Sequence, residues 1–293
     1  MSPRATLVRA APRGRALARA NDGATVSFQN TVAIANDAAL CVLDSEPVTA
    51  AGSGLFVVFG FVSGAPSAIS TPQLALLLDP PPSGGMPVVA GRQYFQSSSP
   101  SYPGSIALFA RIALDPSLGP RTLRLRLDAS GTTTVTIPAT LLGGLSAPEL
   151  GMALTGFELP EDANSFLVNT DGAMPQTATP VAPLSIDTSV TPSGSGLFIV
   201  FGFVSGTNPA NLSPQLALLV DPPASGGVPV AGRQFSTMSA IFPLSARIAL
   251  SPGSHILRLQ LDVDTGALTV PPPTLGGLSA PQYGMILFGW ELP

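Results

Sequence analysis

The feature that most constrains this chain is an internal repeat. Residues 52–64 read GSGLFVVFGFVSG and residues 194–206 read GSGLFIVFGFVSG, so these segments differ only at Val57 and Ile199. Further matches follow in the same order: PQLALLLDPPPSGG with PQLALLVDPPASGG, ARIALDP with ARIALSP, LRLRLD with LRLQLD, and LGGLSAPELGMALTGFELP with LGGLSAPQYGMILFGWELP. A match of this length and order predicts two copies of one fold.

The repeat also predicts the domain boundaries. The offset between the copies is 142 at Gly52 and Gly194 and 133 at Pro160 and Pro293, so the second copy is a few residues shorter, in its loops. The copies meet at Pro160. We therefore predict an N-terminal arm over residues 1–22, a first copy over residues 23–160 and a second copy over residues 161–293.

The spacing of apolar residues predicts the fold class. Each copy alternates short apolar runs with clusters of Gly, Pro and Ser at intervals of roughly ten residues, a pattern typical of a sandwich or barrel. In the segment LRLRLD, leucine alternates with arginine, as in a strand with one buried and one polar face. We predict an all-β protein with two tandem antiparallel β-sandwich, jelly-roll-like domains and an extended N-terminal arm.

The strand GLFVVFGFV differs from this pattern because both of its faces are apolar. One face can enter the core of the sandwich, whereas the other face of an antiparallel sheet normally meets water. A second apolar face favours a contact with another domain or subunit, with cover by the copy's own loops as the alternative. The candidate interface residues are Phe56, Phe59 and Phe61 in the first copy and Phe198, Phe201 and Phe203 in the second copy.

The composition supports such contacts. Charged residues make up 10% of the chain and hydrophobic residues 45%, whereas about a quarter of a typical globular domain is charged. A surface this poor in charge favours association with other subunits. No apolar run approaches the length that spans a bilayer, so we expect no membrane insertion.

The N-terminal arm is basic, although the net charge of the chain is −4. Five of the 13 basic residues precede the first acidic residue, Asp22. These candidate docking residues are Arg4, Arg9, Arg13, Arg15 and Arg19. The arm lacks the apolar core of a signal peptide, which disfavours export, and it fits either a docking arm or a solvated tail. All basic residues are arginine, which indicates a GC-rich coding sequence and a high-GC bacterium or its phage.

Residues that could carry chemistry are few. His255 is the only histidine, its counterpart in the first copy is Arg121, and no GxSxG motif accompanies it, so we predict a turn residue. Asp262 and Asp264 in DVDTG start like a calcium loop, but no closing glutamate follows, and a hairpin turn fits better. Cys41 is the only cysteine and predicts a core residue. We expect no cofactor, no metal site and no enzymatic activity.

Other polar residues shared by the copies also favour structural roles. Asp79 and Asp221 precede proline runs, as turn-forming aspartates do, although they and the arginines of the two AGRQ segments could line recognition loops. No glycine loop precedes a helix, so a nucleotide site is not expected. The charge of the body disfavours nucleic acid as a partner, which leaves only the arm to contact it.

The order of elements resembles the tumour-necrosis-factor-like jelly roll. The resemblance covers both copies and depends on the aromatic strand GLFVVFGFV, the element ARIALSPGSHILRLQLD and the closing strand GMILFGWEL. It implies compact homotrimers whose aromatic strands face the threefold axis, with the loops at one end available to bind receptors or glycans. The tandem duplication departs from the single copies that are commoner in this superfamily.

Two functions follow from these features. The first is a structural surface protein, a decoration or spike component of a phage-like virion, assembled in the bacterial cytoplasm and anchored to a capsid shell by the arm. The alternative is a carbohydrate- or receptor-binding module on a bacterial cell or spore surface, with Tyr94, Tyr102 and Tyr283 as candidate exposed aromatics. A hydrolase has no supporting residue constellation, although jelly rolls host many activities.

Overall fold

The computed structural model shows an almost entirely β-stranded protein. It describes residues 16–17, 32–34, 41–45, 47–50, 52–66, 73–79, 88–93, 104–128, 135–137, 141–142, 145–146, 152–170, 176–206, 213–223, 228–235, 241–270, 274–275, 278–279 and 284–293. Within this part of the chain the regular elements are 24 strands and one short 3-10 turn, Pro116–Leu118. The predicted all-β class with antiparallel sheets is confirmed.

The two copies correspond strand for strand. The first copy contains β1 (Ala16–Leu17), β2 (Val32–Ile34), β3 (Cys41–Asp44), β4 (Leu55–Pro66), β5 (Gln73–Leu78), β6 (Val88–Gln93), β7 (Gly104–Ala113), β8 (Leu123–Asp128), β9 (Val135–Ile137), β10 (Leu141–Leu142), β11 (Leu145–Ser146) and β12 (Met152–Glu158). The second copy contains β13 (Ser165–Asn169), β14 (Gln176–Ala178), β15 (Leu184–Val190), β16 (Leu197–Ser205), β17 (Gln215–Val220), β18 (Pro229–Gln234), β19 (Ile241–Ala249), β20 (His255–Asp262), β21 (Leu268–Val270), β22 (Thr274–Leu275), β23 (Leu278–Ser279) and β24 (Met285–Glu291).

Each copy is a sandwich of two antiparallel layers built on four strands each, and in the first copy β9 and β2 extend one layer through the end of β4. One layer has the order β1-β12-β4-β7 in the first copy and β13-β24-β16-β19 in the second. The other layer has the order β3-β8-β5-β6 and β15-β20-β17-β18. We call the first layers the facing sheets, because they pack against each other across the molecule, and the second layers the outer sheets. Neighbouring strands are mostly distant in sequence, as in a jelly roll.

The core of each copy lies between its two sheets. Leu123, Leu125 and Leu127 of β8 are 0% exposed, and so are Leu257, Leu259 and Leu261 of β20. The arginines that alternate with the leucines of β8 are half-buried on the other side of the outer sheet. The predicted alternation of buried and polar residues is therefore correct in both copies.

The glycine in the middle of each aromatic strand allows the two sheets to approach closely. A Cβ atom would lie 2.7 Å from Leu125 Cδ1 at Gly60 and 2.5 Å from Leu259 Cδ1 at Gly202. The pairing of β4 with β7 and of β16 with β19 continues through these glycines without a shift in register. Of the two alternatives for a mid-strand glycine, close approach and a β-bulge, the structure has the former.

The arm contributes one strand to the first copy. Ala16 pairs with Phe157 and Leu17 with Gly156, which places β1 beside β12 as β13 is placed beside β24. The boundaries at residues 22 and 160 stay predictions, but residues 16–17 of the predicted arm take part in the facing sheet. The five arm arginines lie outside the described residues. Within the described segments no helix is long and apolar enough to cross a membrane.

Candidate functional site

The candidate site is the contact between the two facing sheets. On each of these sheets one side faces the sandwich core and the other faces the opposite copy. A buried cluster joins residues of both copies, with Val57 and Leu159 from the first and Phe203, Ile286, Phe288 and Trp290 from the second. The second apolar face of the aromatic strand is therefore covered by the other copy.

Aromatic rings of the two copies pair across this interface. Phe109 of β7 stacks on Phe203 of β16 with ring centroids 4.3 Å apart. Phe59 and Phe201, which are equivalent residues of the two copies, meet edge to face at 6.0 Å. Phe157 and Trp290, also equivalent, meet at 5.6 Å. Aromatic pairs of these geometries contribute about 0.5–1.5 kcal/mol each beyond the burial of their surface.

One polar contact crosses the edge of the aromatic cluster. The Nη2 atom of Arg111 donates a hydrogen bond to Ser165 Oγ at 3.2 Å, so β7 of the first copy is tied to β13 of the second. Burial lowers the pKa of Arg111, although its guanidinium remains charged at any physiological pH. This bond adds a polar contact between the copies to the aromatic ones.

The structure divides the predicted interface residues into two groups. Phe59, Phe61, Phe201 and Phe203 lie on the side of the sheets that faces the other copy. Phe56 and Phe198 are 0% exposed and lie in the sandwich cores of their own copies. This division follows from the strand period of two, which sends Phe56 and Phe59 to opposite faces.

The interface contains residues that the sequence analysis did not select. Phe109, Phe157 and Trp290 supply three of the interacting rings. Phe157 and Trp290 occupy the same place in the segments GFELP and GWELP, and this shared aromatic position was a usable signal. Phe109 has Ser245 as its counterpart, so comparison of the copies gave no sign of it.

Each copy has a buried glutamate carboxylate at one end of its sandwich. Glu291 is 8% exposed. Its Oε1 accepts hydrogen bonds from the N–H groups of Gly194 and Gly196 at 2.9 and 2.6 Å, and its Oε2 accepts from Ser193 N–H at 2.8 Å and Asn164 Nδ2 at 3.0 Å. Burial by itself would raise the pKa of Glu291, but the bonds from Ser193, Asn164, Gly196 and Gly194 outweigh it and lower the pKa to about 2.

The first copy repeats this arrangement with Glu158, which is 3% exposed. Its Oε1 accepts from the N–H groups of Gly52 and Gly54 at 2.9 and 2.8 Å. Gly54 has a φ of 69°, and a Cβ there would lie 2.3 Å from a backbone oxygen, so no other residue fits. In each copy the glutamate of the shared segment ELP thus accepts hydrogen bonds from the backbone of the shared segment GSG, an arrangement that we call the clasp. Both segments are visible in the repeat, but the bonds between them were not predicted.

Asp79 and Asp221 form the turns that the sequence predicted. Their φ values are 44° and 47°, in the left-handed region that aspartate tolerates at turns. Asp79 pairs with Arg121 and accepts from Thr122 N–H at 2.8 Å. The structural interpretation of these shared aspartates is therefore supported, and both side chains bond to the start of the adjacent strand of their own outer sheet, β8 or β20.

His255 takes the place of Arg121 in the second copy. Its Nδ1 lies 2.7 Å from Asp221 Oδ2, and its Nε2 lies 2.9 Å from the carbonyl oxygen of Ser251 and 3.3 Å from Ser251 Oγ. The hydrogen bonds to Asp221 and to the Ser251 carbonyl raise the pKa of His255.

The order Asp221, His255, Ser251 resembles a catalytic triad, but its geometry favours a different role. When His255 is protonated, Nδ1 donates to Asp221 and Nε2 donates to the Ser251 carbonyl, which leaves no lone pair to activate the serine. The imidazolium instead repeats the cation–carboxylate pair that Arg121 and Asp79 form in the first copy. This supports the predicted turn residue.

The DVDTG segment is a turn. Asp264 Oδ1 accepts from Thr265 N–H at 2.9 Å, Gly266 has a φ of 66°, and both oxygens of Asp262 accept from Gln260. Among the residues that the structure describes, no group of three or more His, Cys, Asp or Glu side chains is placed to hold a metal. The side chain of Cys41 and the three tyrosines lie outside the described residues.

Comparisons with known proteins give no family. No family model matches the chain, and no curated protein matches it. Similar solved structures include the tandem CBM22-1–CBM22-2 domains of Paenibacillus barcinonensis Xyn10C, at 11% identity and a TM-score of 0.27 over 96% of this chain and 97% of that one. Another is the VP2 subviral particle of infectious bursal disease virus, at 11% identity and a TM-score of 0.24 over 90% of this chain and 78% of that one. Similarities this weak indicate no shared function.

Proposed function

We propose that this protein is a non-enzymatic structural surface protein, a decoration or spike component of a phage-like virion that is anchored by its N-terminal arm. The observation that carries this proposal is the aromatic contact between the facing sheets. A solitary antiparallel sandwich leaves the outer face of each sheet to water. Here that face is apolar and packs against a second jelly roll of the same chain.

The distribution of charge supports anchoring by the arm. Residues 1–22 contain five arginines and one aspartate, which gives them a charge of +4 and leaves −8 on the remaining residues of a chain whose total is −4. A basic segment at one end of an acidic body is attracted to acidic protein surfaces more strongly than the body is. The low charge of the body also reduces the desolvation cost of lateral packing.

The finer assignment to the tumour-necrosis-factor-like superfamily belongs to the same proposal. In this chain the aromatic strands β4 and β16 pack on each other across the interface, so a trimer would form through other surfaces. In such an assembly the chain associates with further copies of itself, and a homotrimer is the arrangement we expect.

The test is localisation of the protein on particles. Phage-like particles purified by density gradient from the source culture are labelled with gold-conjugated antibody against the folded body and imaged by electron microscopy. We expect label on the particle surface. A full-length variant with the five arm arginines replaced by glutamine should accumulate unattached, because its charge-dependent anchor is gone.

A matched control replaces the exposed body arginines Arg233 and Arg247 by glutamine, and this variant should still attach. Equal attachment of the arm variant and the wild type would contradict anchoring by the arm. Particles that carry no label, together with binding of the full chain to immobilised glycans, would replace the proposal by the carbohydrate-binding alternative.

A further inference from the structure

Equivalent residues of the two copies meet in the aromatic interface. Phe59 contacts Phe201 at 6.0 Å, and Phe157 contacts Trp290 at 5.6 Å. Residues that contact their own counterparts indicate an approximate twofold relation between the copies, with the axis close to these contacts. Under this relation, each contact of the first copy on the second has a mate in which the two partners exchange copies.

The stack of Phe109 on Phe203 has a mate of different chemistry. The counterpart of Phe203 in the first copy is Phe61, and the counterpart of Phe109 in the second copy is Ser245. Ser245 occupies the same place on β19 as Phe109 does on β7, since each is paired with the middle phenylalanine of its aromatic strand. The twofold relation therefore brings a serine, and no ring, to Phe61.

The exposed fractions show the effect of this difference. Phe203 is 1% exposed under the stacked ring of Phe109, whereas Phe61 is 39% exposed. Ser245 is exposed as well. Among the described residues, the ring that contacts Phe61 is Phe109 of its own copy, edge to face at 5.4 Å. Part of the Phe61 ring is therefore open to a ligand at this rim of the interface.

An exposed arginine lies at the same rim. In the first copy, Arg111 donates a hydrogen bond to Ser165 of the second copy. The mates of these two residues are Arg247 and Ala16, and alanine has no side-chain acceptor. Within the described part of the chain, Arg247 makes no side-chain hydrogen bond or ion pair. It follows Ser245 by two residues on β19, so both side chains point to the same side of the sheet, about 7 Å apart.

The surface formed by Phe61, Ser245 and Arg247, which we call the notch, combines three groups of different chemistry. The phenyl ring offers an apolar face on which another ring can stack. The guanidinium binds a carboxylate through two parallel hydrogen bonds. The hydroxyl can donate and accept hydrogen bonds. A ligand that satisfies all three has an apolar ring face, a hydroxyl group and a carboxylate.

A plain aromatic ring satisfies this set less well than a sugar ring does. An aromatic ring in the place that Phe109 takes on Phe203 would cover the hydroxyl of Ser245 and leave it without a partner, which costs free energy. A pyranose presents C–H groups on one face and hydroxyls at its edge. In a hexuronate the same ring also carries a carboxylate.

We propose that the notch binds a hexuronate ring of an acidic glycan. The ring stacks on Phe61, its carboxylate binds Arg247, and one of its hydroxyls bonds to Ser245. The net negative charge of the body opposes binding only weakly, because salt screens it over about 8 Å. A single ring in an open notch gives a dissociation constant of about 1 mM, which lowers when several chains on one surface bind one polymer.

Ligand-observed NMR titration of the full-length chain tests the proposal. The probes are trisaccharides of galacturonate, glucuronate and mannuronate, each compared with its neutral hexose trisaccharide. We expect at least one uronate to bind about tenfold more tightly than its neutral counterpart. Arg247→Gln should remove this difference between the acidic and the neutral sugar. Phe61→Ala should weaken the binding of both by about fivefold or more.

Ser245→Phe is the decisive variant. It introduces the ring that Phe109 supplies in the mate contact, so it should fill the notch and abolish uronate binding while the chain stays folded. A melting temperature at or above that of the wild type confirms the fold. The matched controls are Ser185→Phe and Arg233→Gln, the same changes at exposed residues of the outer sheet. Both should bind the uronate like the wild type.

Three results would overturn the proposal. They are no binding of any uronate at about ten times the expected dissociation constant, uronate binding that persists in Ser245→Phe, and tighter binding of phenylacetate, an aromatic carboxylate, than of every uronate. The inference goes beyond the structural role proposed above and does not depend on the arm. Particle attachment is measured separately, so labelled particles that also bind a uronate would support both proposals.

Discussion

At the scale of single residues, the clasp of Glu291 makes the free energy of unfolding of the second copy depend on pH in the acid range. The pKa of Glu291 is about 2, below the value of about 4.3 for an unfolded glutamate. The clasp therefore stabilises the fold fully above pH about 4.3, and this contribution is lost as the pH falls through about 2. We predict that Glu291→Gln lowers the free energy of unfolding at pH 7 by about 1–3 kcal/mol, measured by urea denaturation.

The same variant should lose less stability than the wild type when the pH is lowered from 5 to 2, because it has no carboxylate to protonate at this position. Glu161→Gln is the control, since Glu161 is exposed at the start of the second copy. The control should unfold like the wild type at pH 7. Equal acid sensitivity of the Glu291→Gln variant and the wild type would refute a role for the clasp in acid stability.

His255 adds a dependence at neutral pH with the opposite sign. Its pKa is raised by Asp221 and by the Ser251 carbonyl, so the pair stabilises the fold below the unfolded pKa of about 6.5 and this contribution is lost as the pH rises through the folded value. We predict that raising the pH from 6 to 8 lowers the melting temperature of the wild type more than that of His255→Arg, because arginine keeps its charge. Differential scanning calorimetry measures it, and identical slopes would contradict the prediction.

At the scale of elements, the spacing between the two sheets depends on the glycine in each aromatic strand. A Cβ at Gly202 would lie 2.5 Å from Leu259 Cδ1, and Leu259 is 0% exposed in a packed core. We predict that Gly202→Ala destabilises the protein by about 1–3 kcal/mol, because the sheets must separate or Leu259 must leave its rotamer. Urea unfolding checks the value.

Gly232→Ala on β18 is the matched control. A Cβ there would lie 3.5 Å from a backbone oxygen, which is ordinary contact, and the residue is exposed. This control should be as stable as the wild type or slightly more stable, because alanine restricts the unfolded chain. If both alanine variants unfold alike, close packing at Gly202 is not what requires the glycine.

The elements were predictable from the sequence where the period of two was clear. The alternation of Leu257, Leu259 and Leu261 with polar residues predicted β20 and its buried face, and the repeat predicted the same strand in the first copy. The strand β1 was not predictable, because Ala16 and Leu17 lie among arginines and small residues. Its position depends on pairing with β12, which is a contact between residues far apart in the sequence.

The candidate site was predictable only in part for a related reason. Two apolar faces on one strand indicated an interface and selected Phe59, Phe61, Phe201 and Phe203. The sequence could not show whether a copy in the same chain or another chain covers them. It also could not show that Phe109 stacks on Phe203, because the counterpart of Phe109 in the second copy is Ser245 and the repeat therefore marks no aromatic residue at this position.

At the scale of the whole molecule, the aromatic interface couples two sandwiches that each have a core of their own. Phe109 contacts both Phe201 and Phe203, at 5.9 and 4.3 Å, so one ring of the first copy packs on two rings of the second. We predict that Phe109→Ser, which introduces the residue that the second copy has at this position, lowers the free energy of unfolding by about 2–4 kcal/mol.

The loss of coupling should also separate the unfolding of the two copies. Trp290 is the only tryptophan and lies in the interface at 8% exposure, so its fluorescence reports on this contact, whereas calorimetry reports on the whole chain. In the wild type both methods should give one coincident transition. In Phe109→Ser, calorimetry should show two transitions, and the fluorescence change should occur at a lower temperature than either of them.

Leu118→Ser, at an apolar residue that is 62% exposed, should leave the transitions coincident. Coincident transitions in Phe109→Ser would mean that the copies are coupled by contacts other than the aromatic cluster.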